Sequence, residues 1–141
     1  MTDRSIVAGL EAAVHRVLDH LAADLADLGL RQAEINVLAQ LRPGAARPVG
    51  ELVAATGQRP STLTGVLDRL ERKRLVRRRV NAADRRSFTI ELTAAGETAA
   101  ARVSAAFAAL DDGVRADLPP AAAEGFHRVL DAIERTTTGR T

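Results

Sequence analysis

The spacing of apolar residues changes at Leu75 from about 3.6 residues to two, and this change constrains the fold more than any other feature of the sequence. Before Leu75, apolar residues recur three and four positions apart and Pro60 suits the first turn of a helix, so a helix is predicted over about 60–74. After Leu75, apolar and polar residues alternate over Phe88–Leu92, which predicts a half-buried strand. Residues 75–80 would form its antiparallel partner, with 81–84 near the hairpin tip.

A helix-turn-helix is predicted immediately before this hairpin. The segment 49–56 has the composition of a short helix, and Gly57 separates it from the helix that begins near Pro60. A helix-turn-helix followed by a β-hairpin is a winged helix. Further helices are predicted over 6–28, over 31–41, from a cap at Thr93, and from about Ala121, with a loop over 42–48 and a frayed tail after 135. The predicted fold class is therefore mainly α, with six helices and a small β-hairpin wing.

The first predicted helix carries an apolar stripe about six turns long. Such a long stripe at the start of a small domain often needs a partner surface beyond the domain's own core. Its members are Val7, Leu10, Val14, Val17, Leu18, Leu21, Leu25 and Leu28.

Positive charge is concentrated in residues 69–86, although the whole chain carries a net charge of only +2. This segment holds nine basic and two acidic residues, whereas the rest of the chain holds eleven basic and sixteen acidic ones. Five arginines lie within 77–86 alone. Because the positive field is confined to one segment, the pattern indicates a local anionic partner.

Composition excludes several classes of protein. The absence of cysteine excludes disulfides and thiolate metal sites, and it fits a reducing compartment. No apolar run has the length of a membrane span or the character of a signal peptide, so a cytoplasmic protein without membrane contact is expected. His15 and His20 lie on different helical faces and His127 is remote, so neither a metal site nor a cofactor is predicted. No nucleophile–base pair or glycine-rich phosphate loop is present, so an enzyme is not predicted.

Double-stranded DNA is the anionic partner that a winged helix with this charge would bind. The recognition helix of such a fold enters the major groove by its first residues, and an arginine at the wing tip can enter the narrow minor groove. We predict that Arg86 does so, with Arg85 as the main competitor. The candidate DNA-contacting residues are Arg59, Ser61, Thr62, Thr64, Arg69, Arg77, Arg78, Arg79, Asp84, Arg85 and Arg86.

Several of these residues have a structural alternative. The hydroxyl side chains could serve as helix caps or surface residues. Arg69 and Arg72 could pair with Asp68 or Glu71 instead of facing DNA. Asp84 would be costly beside phosphates, so its predicted role is to accept hydrogen bonds in the turn and to fix a neighbouring arginine. The whole basic segment could also be a solvated face and nothing more.

The chain resembles the MarR family of bacterial transcription regulators over nearly its whole length. The resemblance is carried by STLTGVLDRLERKRLVRR, by AADRRSFTIELTAAGE and by LPPAAAEGFHRVLDAIE. Its most specific part is the Asp-Arg-Arg turn followed by a strand and Leu-Thr-x-x-Gly. The resemblance implies one domain over 1–141. Within that domain it implies dimerisation helices at 5–29 and 94–137 and a DNA-binding region at 31–92, whose recognition helix spans about 60–74 and whose wing spans about 75–92.

The resemblance also implies what the protein does. It implies a homodimeric repressor that binds a palindromic operator with two recognition helices, and many members release DNA when a small, often phenolic, organic anion binds. On family grounds, Ser61, Thr62 and Thr64 take the recognition positions. Arg86 is the wing-tip arginine and Asp84 its support.

Two residues depart from the family pattern. Gly65 stands on the recognition helix where a larger polar or basic residue is usual, so one DNA contact is expected to be missing. Arg74 stands where a glycine usually turns the chain into the wing, so this turn must be made without the residue that adopts it most easily.

A function of another class stays open beside the repressor. The same residues could form a winged-helix module for a protein partner, or an architectural binder that tolerates any DNA sequence. The effector is also open, because three phenylalanines are the only aromatic residues and stacking of a phenolic ligand is therefore disfavoured.

Overall fold

A computed structural model describes residues 4–139, which form six α-helices and three β-strands and divide into two compact units between Phe107 and Ala108. The winged helix-turn-helix fold predicted from the sequence is confirmed, with one strand that was not predicted. The elements are α1 (Ile6–Asp24), α2 (Gln32–Leu38), β1 (Arg47–Pro48), α3 (Val49–Thr56), α4 (Pro60–Arg72), β2 (Val76–Val80), β3 (Phe88–Leu92), α5 (Ala94–Ala116) and α6 (Pro120–Thr138).

The core of the first unit fixes which face of α4 meets solvent. The apolar residues of α4 are buried together because they recur at helical spacing. Each such buried side chain stabilises the fold by about 1.5–3 kcal/mol relative to an exposed one. The opposite face, which begins with Ser61 and Thr62, is left exposed. The buried residues of α4 are Leu63, Val66, Leu67 and Leu70.

A three-stranded antiparallel sheet follows α4, with β3 between β1 and β2. β1 pairs Arg47 with Ile90 and Pro48 with Thr89. The prediction of a loop over the whole of 42–48 is therefore wrong at its last two residues. A strand of two residues has too few positions to show an alternating pattern, so the sequence carries no sign of it.

Several helix ends differ from the prediction. α2 ends at Leu38, three residues before the predicted end at 41. α1 ends at Asp24, and a single 3₁₀ turn (Ala26–Leu28) leads to Gly29 in the left-handed conformation, with φ 62°. The 3₁₀ turn continues the apolar spacing of α1, and for this reason the sequence predicted one longer helix. α6 continues to Thr138, so the prediction of a frayed tail is wrong up to that residue, while residues 140 and 141 lie outside the described part of the chain.

Apolar side chains remain exposed on α1 and on α6. Of the helix α1 only Leu21 is buried, and the side chains before it on the stripe are exposed or half-buried. α6 buries none of its residues, and Phe126 is exposed. Among residues 4–139, no helix has both the length and the apolar character needed to cross a membrane. The exposed large apolar residues of α1 are Ile6, Val7, Val14 and Val17.

The first turn of α5 packs directly on the backbone of the turn that joins α4 to β2. Thr93 donates its hydroxyl to the Arg74 carbonyl at 2.6 Å and accepts the Gly96 N–H at 3.0 Å, while its own N–H donates to the Leu75 carbonyl at 3.0 Å. A Cβ on Gly96 would lie 1.8 Å from the Leu75 carbonyl oxygen, which no side chain can tolerate. The Leu-Thr-x-x-Gly pattern therefore has a structural cause in this contact.

We expect Gly96→Ala to destabilise the protein by about 3 kcal/mol or more, because α5 must move away from Leu75 to admit a methyl group. The measurement is the free energy of unfolding from urea denaturation. Gly65→Ala is the matched control, since its Cβ would have only an ordinary contact of 3.6 Å with Arg69. That control should raise stability by about 0.5–1 kcal/mol. Equal stability of Gly96→Ala and wild type would contradict the close contact.

Arg74 makes the turn after α4 in the left-handed conformation, with φ 60°, and is the one non-glycine residue of 4–139 with a positive φ. Its N–H donates to the Glu71 carbonyl and the next N–H, of Leu75, donates to the Leu70 carbonyl, which closes the helix end. An L-residue in this conformation is disfavoured by about 1–2 kcal/mol. The family departure at this position is therefore accommodated as local strain.

Arg74→Gly should raise the free energy of unfolding by about 0.5–1 kcal/mol, because relief of the left-handed strain exceeds the extra freedom that glycine gives the unfolded chain. Arg74→Ala separates strain from charge, since alanine keeps the Cβ and loses the guanidinium. We expect that variant to stay within about 0.5 kcal/mol of wild type. If both variants gained stability equally in thermal and urea unfolding, charge repulsion rather than backbone strain would be the cause.

Candidate nucleic-acid interface

The amino-terminal turn of α4 is exposed and has no side-chain cap. Arg59 occupies the N-cap position in an extended conformation, and no side chain accepts a hydrogen bond from the first N–H groups. Ser61 and Thr62 are exposed and do not cap the helix, while Thr64 donates its hydroxyl to the Pro60 carbonyl at 3.0 Å. The unpaired N–H groups and the positive end of the helix dipole suit a phosphate oxygen.

The three arginines of β2 are paired with carboxylates. Arg79 Nε and Arg77 Nε lie 2.7 and 3.2 Å from Glu91 Oε1, within ion-pair distance, although neither N–H is aligned for a hydrogen bond to that oxygen. Arg78 donates from Nη2 to Asp68 Oδ1 at 2.6 Å. The ion pair between Asp68 and Arg78 joins α4 to the wing, and the three arginines of β2 share two carboxylates.

The wing tip presents two exposed arginines on a turn with many internal hydrogen bonds. Asp84 Oδ1 accepts the backbone N–H of Arg86 at 3.0 Å, and the Asp84 carbonyl accepts the N–H of Ser87 at 3.0 Å. Asn81 Nδ2 donates to Ser87 Oγ at 3.2 Å. Asp84 thus accepts hydrogen bonds in the turn as predicted, and it fixes the backbone of Arg86 rather than its guanidinium. Arg85 and Arg86 are left exposed.

Glu34 is a buried carboxylate that sequence reasoning missed. Its side chain has no exposed surface, and it accepts hydrogen bonds from Arg69 Nε at 3.1 Å, from Lys73 Nζ at 2.7 Å and from the Arg31 N–H at 3.1 Å. Arg69 therefore pairs with Glu34 and not with Asp68 or Glu71, the partners considered from the sequence. The burial of Glu34 could have been predicted from its place in the helical pattern, because it lies four residues before Leu38 on the buried face of α2.

Burial and hydrogen bonding act in opposite directions on Glu34. Burial raises the pKa of its carboxyl, but the hydrogen bonds from Lys73, from the Arg31 backbone and from Arg69, with the positive charge of Lys73, lower the pKa below its ordinary value on balance. The ionised form is therefore the one that the fold favours. Its stabilising effect is present above the ordinary pKa of glutamate and is lost as the pH falls through the lowered value.

A further ion pair in the same unit joins α5 to the turn after α1. The two terminal nitrogens of Arg102 donate hydrogen bonds to the two carboxylate oxygens of Asp27, at 2.8 and 2.9 Å. This hydrogen bonding lowers the pKa of Asp27 and raises that of Arg102. The pair fixes the 3₁₀ turn after α1 to α5.

The structure thus separates the basic residues of this region into a paired set and an unpaired set. The paired residues are Arg69, Lys73, Arg77, Arg78 and Arg79. In the described part of the chain, five others on α4, the following turn and the wing form no ion pair: Arg59, Arg72, Arg74, Arg85 and Arg86. Arg72 and Arg74 were not among the predicted contacts. Residues 4–139 contain no group of His, Cys, Asp or Glu suited to a metal ion.

Comparison with known proteins identifies the family. A model of the MarR family matches residues 28–87. The HTH-type transcriptional repressor MdtR of Bacillus subtilis (strain 168) is 30% identical over 92 residues, which are 65% of this chain and only 59% of that relative.

Two solved structures resemble the chain over nearly its whole length. The transcriptional regulator PA3341 is 31% identical, with a TM-score of 0.76 over 95% of this chain and 99% of that one. The transcriptional repressor CouR, bound to a 23-mer DNA duplex, is 26% identical, with a TM-score of 0.71 over 92% of each chain.

Both solved structures match a larger share of the chain than the segment 28–87 that the family model matches. The regulators of this family are DNA-binding proteins without enzymatic activity. The chain belongs to the MarR family of transcriptional regulators.

Proposed function

We propose that the protein is a homodimeric transcriptional repressor that binds a palindromic operator. The observation that carries this proposal is the position of its unpaired positive charge. The uncapped first turn of α4 and the wing tip hold exposed arginines, whereas the arginines between them on β2 are paired with carboxylates. The hydroxyls of Ser61, Thr62 and Thr64 lie beside the first group, and hydroxyls are able to bond base edges.

Each part of this surface would have its own role on DNA. The first turn of α4 would enter the major groove, with Thr62 and Thr64 at base edges and its backbone N–H groups on phosphates. The wing would follow the duplex, with Arg86 in the minor groove and Arg85 on the flanking phosphates. The ion pair between Asp68 and Arg78 would hold the two contacts at a fixed separation.

The exposed apolar faces support a dimer. Four large apolar side chains of α1 are exposed in the single chain, and α6 buries none of its residues. We propose that a second copy of the chain covers both faces, and that the two-fold symmetry gives two recognition helices and therefore a palindromic site.

Relatives support the repressor role and DNA as partner. MdtR is a repressor, and CouR is a repressor bound to a DNA duplex. We propose repression of transcription for this chain on that ground, and a cytoplasmic location because its DNA target would lie there. For the effector we propose a small organic anion held without ring stacking, because phenylalanines at 88, 107 and 126 are the only aromatic residues. A thermal-shift screen of small carboxylic acids tests that ligand class.

Sequence preference is the property that separates this function from an architectural DNA binder. A duplex selected by the protein from a random library should keep its affinity in excess random competitor, with two chains per duplex by sedimentation. Equal loss of affinity in competitor and in salt would favour the sequence-tolerant alternative. Absence of DNA binding at low salt would leave the protein-partner alternative.

Val14→Asp should convert the dimer to a folded monomer, because it places a charge on an apolar face that the single chain leaves exposed. Ala12→Asp is the matched control, since it adds the same charge on the opposite face of α1. We expect Val14→Asp to sediment at the mass of a monomer and to keep the helical circular dichroism spectrum of the wild-type protein. A Val14→Asp variant that stays dimeric would exclude this face from the interface.

Arg86→Ala should lower affinity for the selected duplex about tenfold and reduce the salt slope by about one per protomer, because an unpaired guanidinium is removed from the wing tip. Arg79→Ala is the control on the same wing, since Arg79 is already paired with Glu91 and should change the slope by less. Fluorescence anisotropy over a salt series gives both values. Equal effects of the two substitutions would show that pairing does not decide which arginine meets DNA.

A further inference from the structure

Glu34 is the one charged residue in the buried core of the described chain. Its two carboxylate oxygens take all of their described partners from two places, the backbone at the start of α2 and the cations at the end of α4. A buried carboxylate with three donors is well compensated in place, and it becomes unfavourable if any donor moves away. The position of α4 against α2 is therefore tied to this one side chain.

The cations that Glu34 holds lie at the end of α4 that is opposite to its first turn, where Ser61 and Thr62 lie. Arg69 is in the last turn of the helix, and Lys73 is its C-cap. Lys73 also donates to the Gly29 carbonyl at 3.1 Å, so the turn before α2 joins the same network. Because an α-helix is rigid, fixing this end of α4 also fixes the direction of its first turn. That turn lies about 18 Å away by the rise of an α-helix.

The same contact withdraws positive charge from the surface. The side chains of Arg69 and Lys73 are 28% and 37% exposed, so both reach the surface while their charged groups point to Glu34. Without the carboxylate, two long flexible cations would be free to bind phosphates of any sequence. Phosphate contacts of this kind add affinity without preference.

We propose that Glu34 is a positioning residue for DNA recognition, which aims α4 and keeps Arg69 and Lys73 from contributing sequence-independent affinity. The proposal deepens the proposed function and rests on it. It predicts that the salt dependence of binding reflects the unpaired arginines and excludes these two cations.

Glu34→Gln tests the proposal, because the amide keeps the size of the side chain and removes its charge. We expect the salt slope on a random duplex to become steeper by about two per protomer, and the ratio of selected to random affinity to fall about tenfold. Glu71→Gln is the matched control, since it removes the same charge from an exposed position on α4. It should raise both affinities equally and leave their ratio unchanged.

The triple variant Glu34→Gln, Arg69→Gln, Lys73→Gln provides the rescue. Its salt slope should return to the wild-type value, because the released cations are gone. A Glu34→Gln protein with lower thermal stability but wild-type slope and ratio would show that Glu34 is only structural, and would overturn the proposal.

A second pair of variants decides the question if Glu34→Gln does not fold. Lys73→Met should leave the salt slope unchanged, whereas Arg72→Met, next to it and unpaired, should lower the slope by about one per protomer. A lower slope for both would place Lys73 on the DNA and overturn the proposal. The slope on random duplex is measured without an operator, so it tests Glu34 even if the protein shows no sequence preference and the proposed function fails.

Discussion

The contact between Gly96 and the Leu75 carbonyl is the constraint on which the other elements of the first unit depend. At this point the end of α4, the start of the wing and the start of α5 meet through backbone atoms, with Thr93 bonded to two of them. A contact between backbones leaves almost no freedom to adjust by rotamer changes. The start of α5 is therefore coupled to the geometry of α4 and the wing through a backbone contact and the Thr93 hydroxyl.

Carboxylates divide the positive charge near α4 and the wing into a paired part and an unpaired part. Glu34, Asp68 and Glu91 hold five of the basic side chains near α4 and the wing. The segment that looked uniformly positive in the sequence therefore mixes ion-paired cations with four unpaired arginines, Arg72, Arg74, Arg85 and Arg86. Such an arrangement limits the attraction to any polyanion while it keeps positive charge at the points that define a binding geometry.

Most of the fold could be predicted because it follows from local periodicity. The bounds of α3 were predicted from the composition of 49–56 and the stop at Gly57, and the wing from the alternation over Phe88–Leu92. β1 could not be predicted, because two residues show no period and its partner Ile90 is more than forty positions away.

The candidate site was less accessible to sequence reasoning, because pairing between charges depends on tertiary contacts. Arg69 meets Glu34 across 35 positions, and nothing in the local sequence distinguishes it from Arg72, which has no such partner. The partner of Arg77 and Arg79 could have been found, since a hairpin in this register puts Glu91 directly opposite Arg77. The alternating pattern predicted the strand but not its register with β2, because that register also depends on the length of the loop at the wing tip.

The bare first turn of α4 connects fold stability to ligand binding. A serine or aspartate at the N-cap in place of Arg59 would satisfy the open N–H groups and add about 1 kcal/mol to the helix. Because no side chain satisfies these N–H groups, an anion that binds at this turn can gain the free energy that a capping side chain would otherwise supply. The isolated protein is then somewhat less stable than its sequence could make it, and an anion bound there would stabilise the helix that holds it.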